Sequence, residues 1–209
     1  MNGRVAVSLA LAVAVLSAAT GCTGSKGDTA KTSSGATTTT SSTSPPPSSS
    51  SSAPPTPSEI AKSQVVKFLP TYYATLDRLA SSATLSLNLL DSVATGANAI
   101  QEKTALAQYR ENGWIQIGTT VLTATKVTGV NLASDHSSSP QKLPTVLVTT
   151  CIDVSDVREV DKKGRTVTLP TRPNFFVEKL TVVNLRYPSA TGWRVSEAPN
   201  KGATSCAGV

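Results

Sequence analysis

The sequence predicts an α+β domain in which N-terminal helices precede a run of antiparallel strands. Apolar residues recur at helical spacing in the first part of the segment 59–209. From residue 119 onward, β-branched residues dominate in short runs separated by turn residues. Helices followed by consecutive strands are typical of the α+β class, and the 151 residues of 59–209 suit one compact domain.

The first helix is expected to begin at Ser58, an N-cap residue type, with the Glu59 carboxylate in its first turn. Pro70 removes one backbone N–H, so we expect the helix to kink there or to split after Leu69. The apolar positions at helical spacing are Val65, Leu69, Tyr72, Tyr73, Leu76 and Leu79.

Two further helices are expected before the strands. The leucine-rich segment 85–93 predicts a brief helix that ends before Gly96. A third helix is expected from Asn98 to Glu111, with Gly113 as its C-cap residue. Its outward-facing residues are expected to be Gln101, Glu102 and Lys103.

The second half of the domain is expected to be a set of antiparallel strands. A turn at 161–164 is predicted, because Gly164 is able to adopt a positive φ. The predicted extended segments are 119–132, 145–154, 165–169, 175–185 and 192–195.

The N-terminus predicts export. Arg4 precedes the run Val5–Leu16, whose 12 residues are apolar except for Ser8, and small residues follow. This is the pattern of a secretory signal, and the run is shorter than the ~20 residues that cross a bilayer. We therefore expect residues 1–21 to be a signal peptide.

The end of this signal, Ala19-Thr20-Gly21-Cys22, resembles the lipobox of bacterial lipoproteins. The resemblance implies cleavage before Cys22 and a lipid on its side chain and amino group. Several acyl chains give lasting membrane anchorage, where one would be marginal. The alternative is an ordinary cleaved signal with a chance cysteine.

Residues 23–58 predict a tether. They contain 12 Ser, 9 Thr and 6 Pro among 36 positions, so they cannot bury enough apolar surface to offset the entropy cost of ordering. With Cys22 they form a predicted disordered segment, 22–58, whose coil reach is roughly 30–35 Å. The hydroxyl clusters beside prolines are also the composition of O-glycosylated stalks, and an unmodified spacer is the alternative.

Two cysteines remain for the domain. Cys151 and Cys206 form an even pair, and the chain is expected to be exported to an oxidising compartment, which favours a disulfide between them. Such a bond would hold the C-terminus to the strand that contains Cys151. A metal site would need more ligands, and the single histidine, His136, lies in a Ser-rich segment. A cysteine nucleophile would need a histidine beside it.

The order of several segments resembles the secreted and lipid-anchored NTF2-like (cystatin-like) proteins of actinobacteria. The segments are Tyr72-Tyr73 with Asp77, the turn at 93–96, Cys151-Ile152-Asp153-Val154-Ser155, the hairpin at 160–164, Gly192-Trp193-Arg194-Val195 and a terminal cysteine. The resemblance implies a cone in which a curved antiparallel sheet wraps the helices around a pocket or a hydrophobic core.

Enzymes of this shape place carboxylates and tyrosines in the pocket. The candidate pocket residues are Tyr72, Tyr73, Asp77, Tyr109 and Trp114. Tyr73 and Asp77 share a helix face, whereas adjacent Tyr72 and Tyr73 point about 100° apart. The structural alternative is that Tyr73 and Trp114 fill the core while Asp77 pairs with Arg78 or solvent. Asp153 and Asp156 flank the end of the Cys151 strand, where we expect them to cap a turn; the alternative is a functional site.

The sequence indicates no catalytic residues, no metal site and no cofactor. It contains no HExxH, GxSxG, P-loop or GxGxxG motif. Residues 59–209 carry 16 Lys+Arg against 12 Asp+Glu, a balance of +4 that does not indicate nucleic acid as a partner. Acidic residues interrupt the densest basic cluster, Arg158, Lys162, Lys163 and Arg165.

Three functions fit these observations. The first is a lipoprotein at the outer face of the cell membrane, whose non-catalytic NTF2-like domain binds an envelope protein or a small ligand. The second is a phage- or prophage-encoded superinfection-exclusion or immunity lipoprotein. The third is a small pocket enzyme of isomerase or dehydratase type.

Overall fold

The computed structural model describes residues 53–209. The predicted signal peptide, Cys22 and residues 23–52 of the predicted tether lie outside the described residues. The elements are α1 (Pro57–Ala80), a 3₁₀ helix (Leu87–Ser92), α2 (Gly96–Glu111), β1 (Ile115–Ile117), β2 (Val121–Asn131), β3 (Thr145–Asp153), β4 (Arg158–Val160), β5 (Phe175–Asn184), a 3₁₀ helix (Ala190–Gly192), β6 (Trp193–Glu197) and β7 (Asn200–Ala203).

Helix α1 begins earlier than expected because Thr56, not Ser58, is its N-cap. The Thr56 hydroxyl accepts a hydrogen bond from the Glu59 backbone N–H at 3.3 Å, and the Thr56 backbone N–H donates to the Glu59 carboxylate at 2.6 Å. This reciprocal capping box needs a carboxylate three residues after the cap, and Pro57 suits the first helical position. The folded domain therefore starts before residue 59.

The expected split at Pro70 is wrong, since α1 continues through this residue to Ala80. Proline removes the hydrogen bond to the carbonyl of Val66, four residues earlier. Pro70 and Val66 both lie on the exposed side of the helix, where water can solvate that carbonyl. The buried face of α1 keeps its apolar residues, and packing of this face stabilises the uninterrupted helix.

Helix α2 places Glu102 differently from the sequence prediction. The predicted outward orientation is wrong, because Glu102 is half-buried and its charge acts on Tyr72 and on Glu178. Asn98, Glu102 and Leu106 follow each other at intervals of four and therefore share one face of the helix. Asn98 and Leu106 are both buried.

The predicted α+β class is confirmed. The main sheet is antiparallel in the order β2-β3-β5-β6, and β7 pairs with the first half of β5. Strands β6 and β7 lie along the same edge of β5 and are separated at Ala198 and Pro199, where the Lys179 N–H donates to the Pro199 carbonyl at 3.0 Å. Predicted segment 165–169 forms a single bridge, Thr166 to Val160, instead of a strand.

A smaller sheet pairs β1 with β4, antiparallel, and neither strand was predicted as a separate element. Its three residue pairs place Ile115 opposite Val160 and Gln116 opposite Glu159. This short ribbon follows α2 directly, so it lies beside the end of that helix.

The core fills the space between the helices and the inner face of the main sheet. Alternate residues of β3 and β5 point into it, as the period of two requires. The largest fully buried side chains include Trp193, Tyr72, Leu69, Leu79, Leu90 and Leu180. The Trp193 indole N–H donates to Gln64 Oε1 at 2.9 Å, which joins β6 to α1.

The predicted disulfide is confirmed. Cys151 and Cys206 are bonded, with their Cα atoms 5.6 Å apart. Cys151 lies opposite Ala124 and Val177, on the strand positions whose side chains point away from the helices. The bond therefore holds the C-terminal segment to the outer face of the sheet.

We predict that Cys206→Ser lowers the free energy of unfolding by about 4 kcal/mol, the chain-entropy value for a loop of this size. The bond spans 55 residues. Urea denaturation of the oxidised protein and the variant measures the difference. Equal denaturation midpoints for the two proteins would contradict the prediction.

Candidate functional site

A polar network lies inside the core, between α1 and the sheet. Thr150 of β3 and Glu178 of β5 are directly opposite each other on the inner face. The Tyr73 hydroxyl donates to Glu178 Oε2 at 2.6 Å and lies 2.9 Å from Thr150 Oγ1. All three residues are buried, so one helix residue hydrogen-bonds to two neighbouring strands.

The environment of Glu178 favours its neutral form. Burial raises the pKa of this carboxyl to about 7, and the nearby Glu102 carboxylate acts in the same direction. The hydrogen bond from Tyr73 opposes this shift, because it stabilises the ionised form. Burial also raises the pKa of Glu102. Two acidic side chains therefore share the space between α2 and the sheet.

Tyr72 connects the helices to β6 next to this network. Its ring meets the Tyr73 ring edge-on, with centroids 5.1 Å apart. Asn98 Nδ2 donates to the Tyr72 hydroxyl at 3.1 Å and lies 3.5 Å from the Val195 carbonyl. Burial raises the pKa of both tyrosines above the ordinary range. The hydroxyls of Tyr72 and Tyr73 therefore serve as neutral hydrogen-bonding groups.

Asp77 fixes the connection between β1 and β2. One carboxylate oxygen accepts from Gln116 Nε2 at 2.7 Å and from the Thr120 hydroxyl at 2.8 Å, and the other accepts from the Thr120 backbone N–H at 2.8 Å. The expected pairing with Arg78 or solvent is therefore wrong. Three donors hold the carboxylate, which indicates a structural role.

Tyr73 and Asp77 line one surface cleft, as their spacing on α1 predicts. We call it the Asp77 cleft; its volume is about 440 Å³. It is lined by Pro70, Tyr73, Ala74, Asp77, Arg78, Ser81, Gly118, Thr119, Thr120 and Leu122. The Tyr73 hydroxyl points away from it toward Glu178, which does not line it.

Trp114 lines a second cleft instead of the core. This Trp114 cleft has a volume of about 660 Å³ and is lined by Ala83, Arg110, Gly113, Trp114, Ile115, Ile117, Val160, Asp161, Lys162 and Gly164. Trp114 is half-buried, so the interpretation of Trp114 as core is wrong. Tyr109 meets its ring edge-on, with centroids 5.8 Å apart.

The predicted pocket residues therefore do not form one pocket: Tyr73 and Asp77 line one cleft and Trp114 lines another. Strand β1 separates them, since Gln116 bonds to Asp77 on one side while Ile115 and Ile117 line the Trp114 cleft on the other. This division follows from the alternation of side chains along a strand.

Sequence reasoning missed Glu178, Thr150 and Glu102. The sequence does contain a signal for Glu178. In Phe175–Asn184 it occupies the same set of alternate positions as Leu180 and Val182, so its side chain is expected on the buried face of the strand. An acidic residue at an inward position of a buried strand indicates a partner. Its partner, Tyr73, lies 105 residues away, which no local pattern reveals.

Of the two aspartates that were expected to cap the turn after β3, Asp153 does so. Asp153 Oδ1 accepts from the Ser155 backbone N–H at 2.8 Å, and hydrogen bonds from Ser155 lower the Asp153 pKa. In residues 53–209, no group of three or more His, Cys, Asp or Glu side chains is placed to hold a metal ion.

Across the described part of the chain, no helix combines the length and the apolar character that crossing a bilayer requires.

Comparison with known proteins leaves the family open. No family model and no curated protein matches this chain. Among solved structures, the intermembrane space region of the chloroplast protein ARC6 matches with 16% sequence identity and a TM-score of 0.41, over 72% of this chain and 100% of that one.

We predict that Glu178 makes stability fall as the pH rises. Its pKa is about 7 in the folded protein against 4.5 as the ordinary value, so the folded state holds the proton more tightly between these pH values. The free energy of unfolding then falls by about 3 kcal/mol across this window and levels off above it. In Glu178→Gln, whose side chain does not ionise, this loss is absent.

Urea denaturation at several pH values measures the difference between the Glu178→Gln and wild-type free energies. The matched control is Glu111→Gln, at an exposed position of α2. A Glu178→Gln difference that stays constant with pH, like that of the control, would refute the prediction.

For Asp77→Ala we predict a loss of about 1–3 kcal/mol, because the Thr120 and Gln116 donors lose their acceptor in a half-buried position. Arg78→Ala, one residue along the same helix, is expected to cost no more than about 0.5 kcal/mol. Thermal or urea unfolding checks both variants. Equal losses would show that an Asp77–Arg78 pair was the relevant contact.

Proposed function

We propose that this protein is a cell-envelope lipoprotein, anchored at the outer face of the membrane through lipid on Cys22, that displays a non-catalytic binding domain. The N-terminal sequence supports this location, since an apolar run is followed by a lipobox-like segment that ends at Cys22. The Ser/Thr/Pro-rich composition that follows supports a spacer between anchor and domain.

The filled core is the observation that supports binding over catalysis. Large side chains such as Trp193, Tyr72 and Leu69 occupy the space between helices and sheet. A pocket enzyme needs a titratable group that its substrate can reach. Glu178, whose pKa suits proton transfer, lines neither the Asp77 cleft nor the Trp114 cleft. Recognition is therefore assigned to the surface of the domain.

We assign the fold to the NTF2-like cone within this proposal. Two helices that precede and cover an antiparallel sheet support it. Register shifts within the β2–β3 and β5–β6 pairs also support it, because such irregularities bend a sheet. In this cone the enclosed volume is a hydrophobic core, one of the two interiors that the resemblance implies.

A pocket enzyme of isomerase or dehydratase type is the second candidate. The hydrogen-bonded pair Tyr73–Glu178 favours it, because a carboxyl that titrates near neutrality is suited to general acid–base work. This function would require a route for substrate into the core, and Tyr73 and Thr150 occupy the space beside Glu178.

We predict that Cys22→Ala prevents incorporation of the fatty acid and shifts the protein from the membrane fraction to the soluble fraction, because the thiol that carries the lipid is lost. Metabolic labelling with a radioactive fatty acid and fractionation of cells measure both effects. Cys206→Ser serves as the control, since it changes a different cysteine and should keep the label. Unlabelled wild-type protein, or equal labelling of Cys22→Ala, would exclude the lipoprotein proposal.

A further inference from the structure

We propose that the Trp114 cleft binds a small organic anion with a flat apolar body, of the aromatic carboxylate class. This inference deepens the proposed binding function by naming a ligand class for one cleft. It rests on the shape, the apolar surface and the charge of the residues that line this cleft.

The apolar part of the cleft is preformed and open. Ile115 and Ile117 alternate onto the same face of β1 and remain 37% and 40% exposed. Val160 is buried opposite Ile115 in the two-stranded ribbon. Trp114 is held by its edge contact with Tyr109. A volume of about 660 Å³ lies within the range of small-molecule sites.

Two cations line this apolar surface. Arg110 donates to the Leu85 carbonyl at 2.7 Å and to the Leu79 carbonyl at 3.1 Å, so its guanidinium is fixed in place. Within residues 53–209, neither Arg110 nor Lys162 forms an ion pair. The Lys162 ammonium is therefore available to a ligand, and the unneutralised charge of the fixed Arg110 guanidinium adds to the positive potential of the cleft.

The single acidic residue of the lining does not neutralise these cations. Asp161 pairs with the Arg165 guanidinium at 2.7 Å, and its other oxygen accepts from the backbone N–H groups of Lys163 and Arg165 at 2.8 and 3.0 Å. These hydrogen bonds lower the Asp161 pKa, so it stays ionised and paired. The remaining charge of the lining is positive, which favours an anion.

Lys162 has a defined position beside the aromatic floor. A Cβ atom at Gly113 would collide with the Lys162 side chain, so the aliphatic part of Lys162 lies against the residue before Trp114. Gly113 has a φ of 70°, a conformation that glycine adopts without strain. A carboxylate that reaches Lys162 would thus place its apolar body over Trp114.

The test is a ligand-observed NMR titration of the full-length protein with 2-naphthoate and with its neutral analogue 2-naphthamide. The same buffer or lipid carrier without protein is the blank. We expect naphthoate to bind at least about 5-fold more tightly than naphthamide, as expected for an added charge contact. Trp114→Ala is expected to weaken naphthoate binding by about 10-fold or more.

Lys162→Gln removes the charge at an exposed position and leaves the core unchanged. We expect it to weaken the binding of naphthoate by about 3-fold or more. Lys163→Gln is the matched control, because this neighbouring exposed lysine does not line the cleft. We expect it to change the affinity for naphthoate by less than about 1.5-fold. Absence of binding up to about 5 mM, equal affinity for naphthamide, or equal effects of the two lysine variants would each overturn the proposal.

Failure here is distinguishable from failure of the proposed function. The titration reports on the cleft whatever the location of the protein, whereas fatty-acid labelling at Cys22 reports on the anchor whatever the cleft binds. If the protein incorporates the fatty acid but does not bind naphthoate, the lipoprotein proposal stands and only the proposed ligand class is wrong.

Discussion

The hydrogen bonds of Tyr73 to Thr150 and Glu178 are the contact on which the rest of the structure depends. They hold α1 against two adjacent strands at the centre of the sheet. Other residues of the same helix extend this attachment toward both ends. Gln64 accepts from the indole of Trp193 in β6, and Asp77 receives the donors that fix the start of β2.

This contact has a cost that explains its chemistry. An ionised carboxylate is unfavourable in a dry core, and Glu102 adds a second acidic group nearby. A hydroxyl donor to Glu178 offsets part of that cost, and a proton on the carboxyl removes it. The hydrogen-bonded Tyr73–Glu178 pair is thereby accommodated within a core that large side chains fill. The separate attachment of the C-terminus by Cys206 acts on the opposite face of the sheet.

Sequence patterns predicted the elements better than their connections. The spacing of apolar residues located α1, and the even cysteine pair identified the bond between Cys151 and Cys206. The continuity of α1 through Pro70 was not predictable, because it depends on that residue facing solvent in the folded protein. Glu102 was misplaced because its charge suggests a surface position, whereas it lies on the face of α2 on which Asn98 and Leu106 are buried.

The candidate site shows the same limit. Tyr73 and Asp77 were correctly grouped by their spacing, since four residues on a helix bring side chains onto one face. Trp114 was separated from them by the alternation of β1, a three-residue strand too short for a clear sequence signal. Glu178 meets Tyr73 only because α1 packs across the sheet, which joins residues that are 105 positions apart in the sequence.

The central claim is that Glu178 is a buried carboxyl that Tyr73 hydrogen-bonds. Carbon-13 NMR titration of its side-chain carboxyl, in the full-length protein and in Tyr73→Phe, tests this directly. We predict a midpoint of about 7 in the wild type and a higher midpoint in Tyr73→Phe, because the hydrogen bond from Tyr73 lowers the pKa of Glu178. A wild-type midpoint near the ordinary value of 4.5, unchanged in Tyr73→Phe, would contradict it.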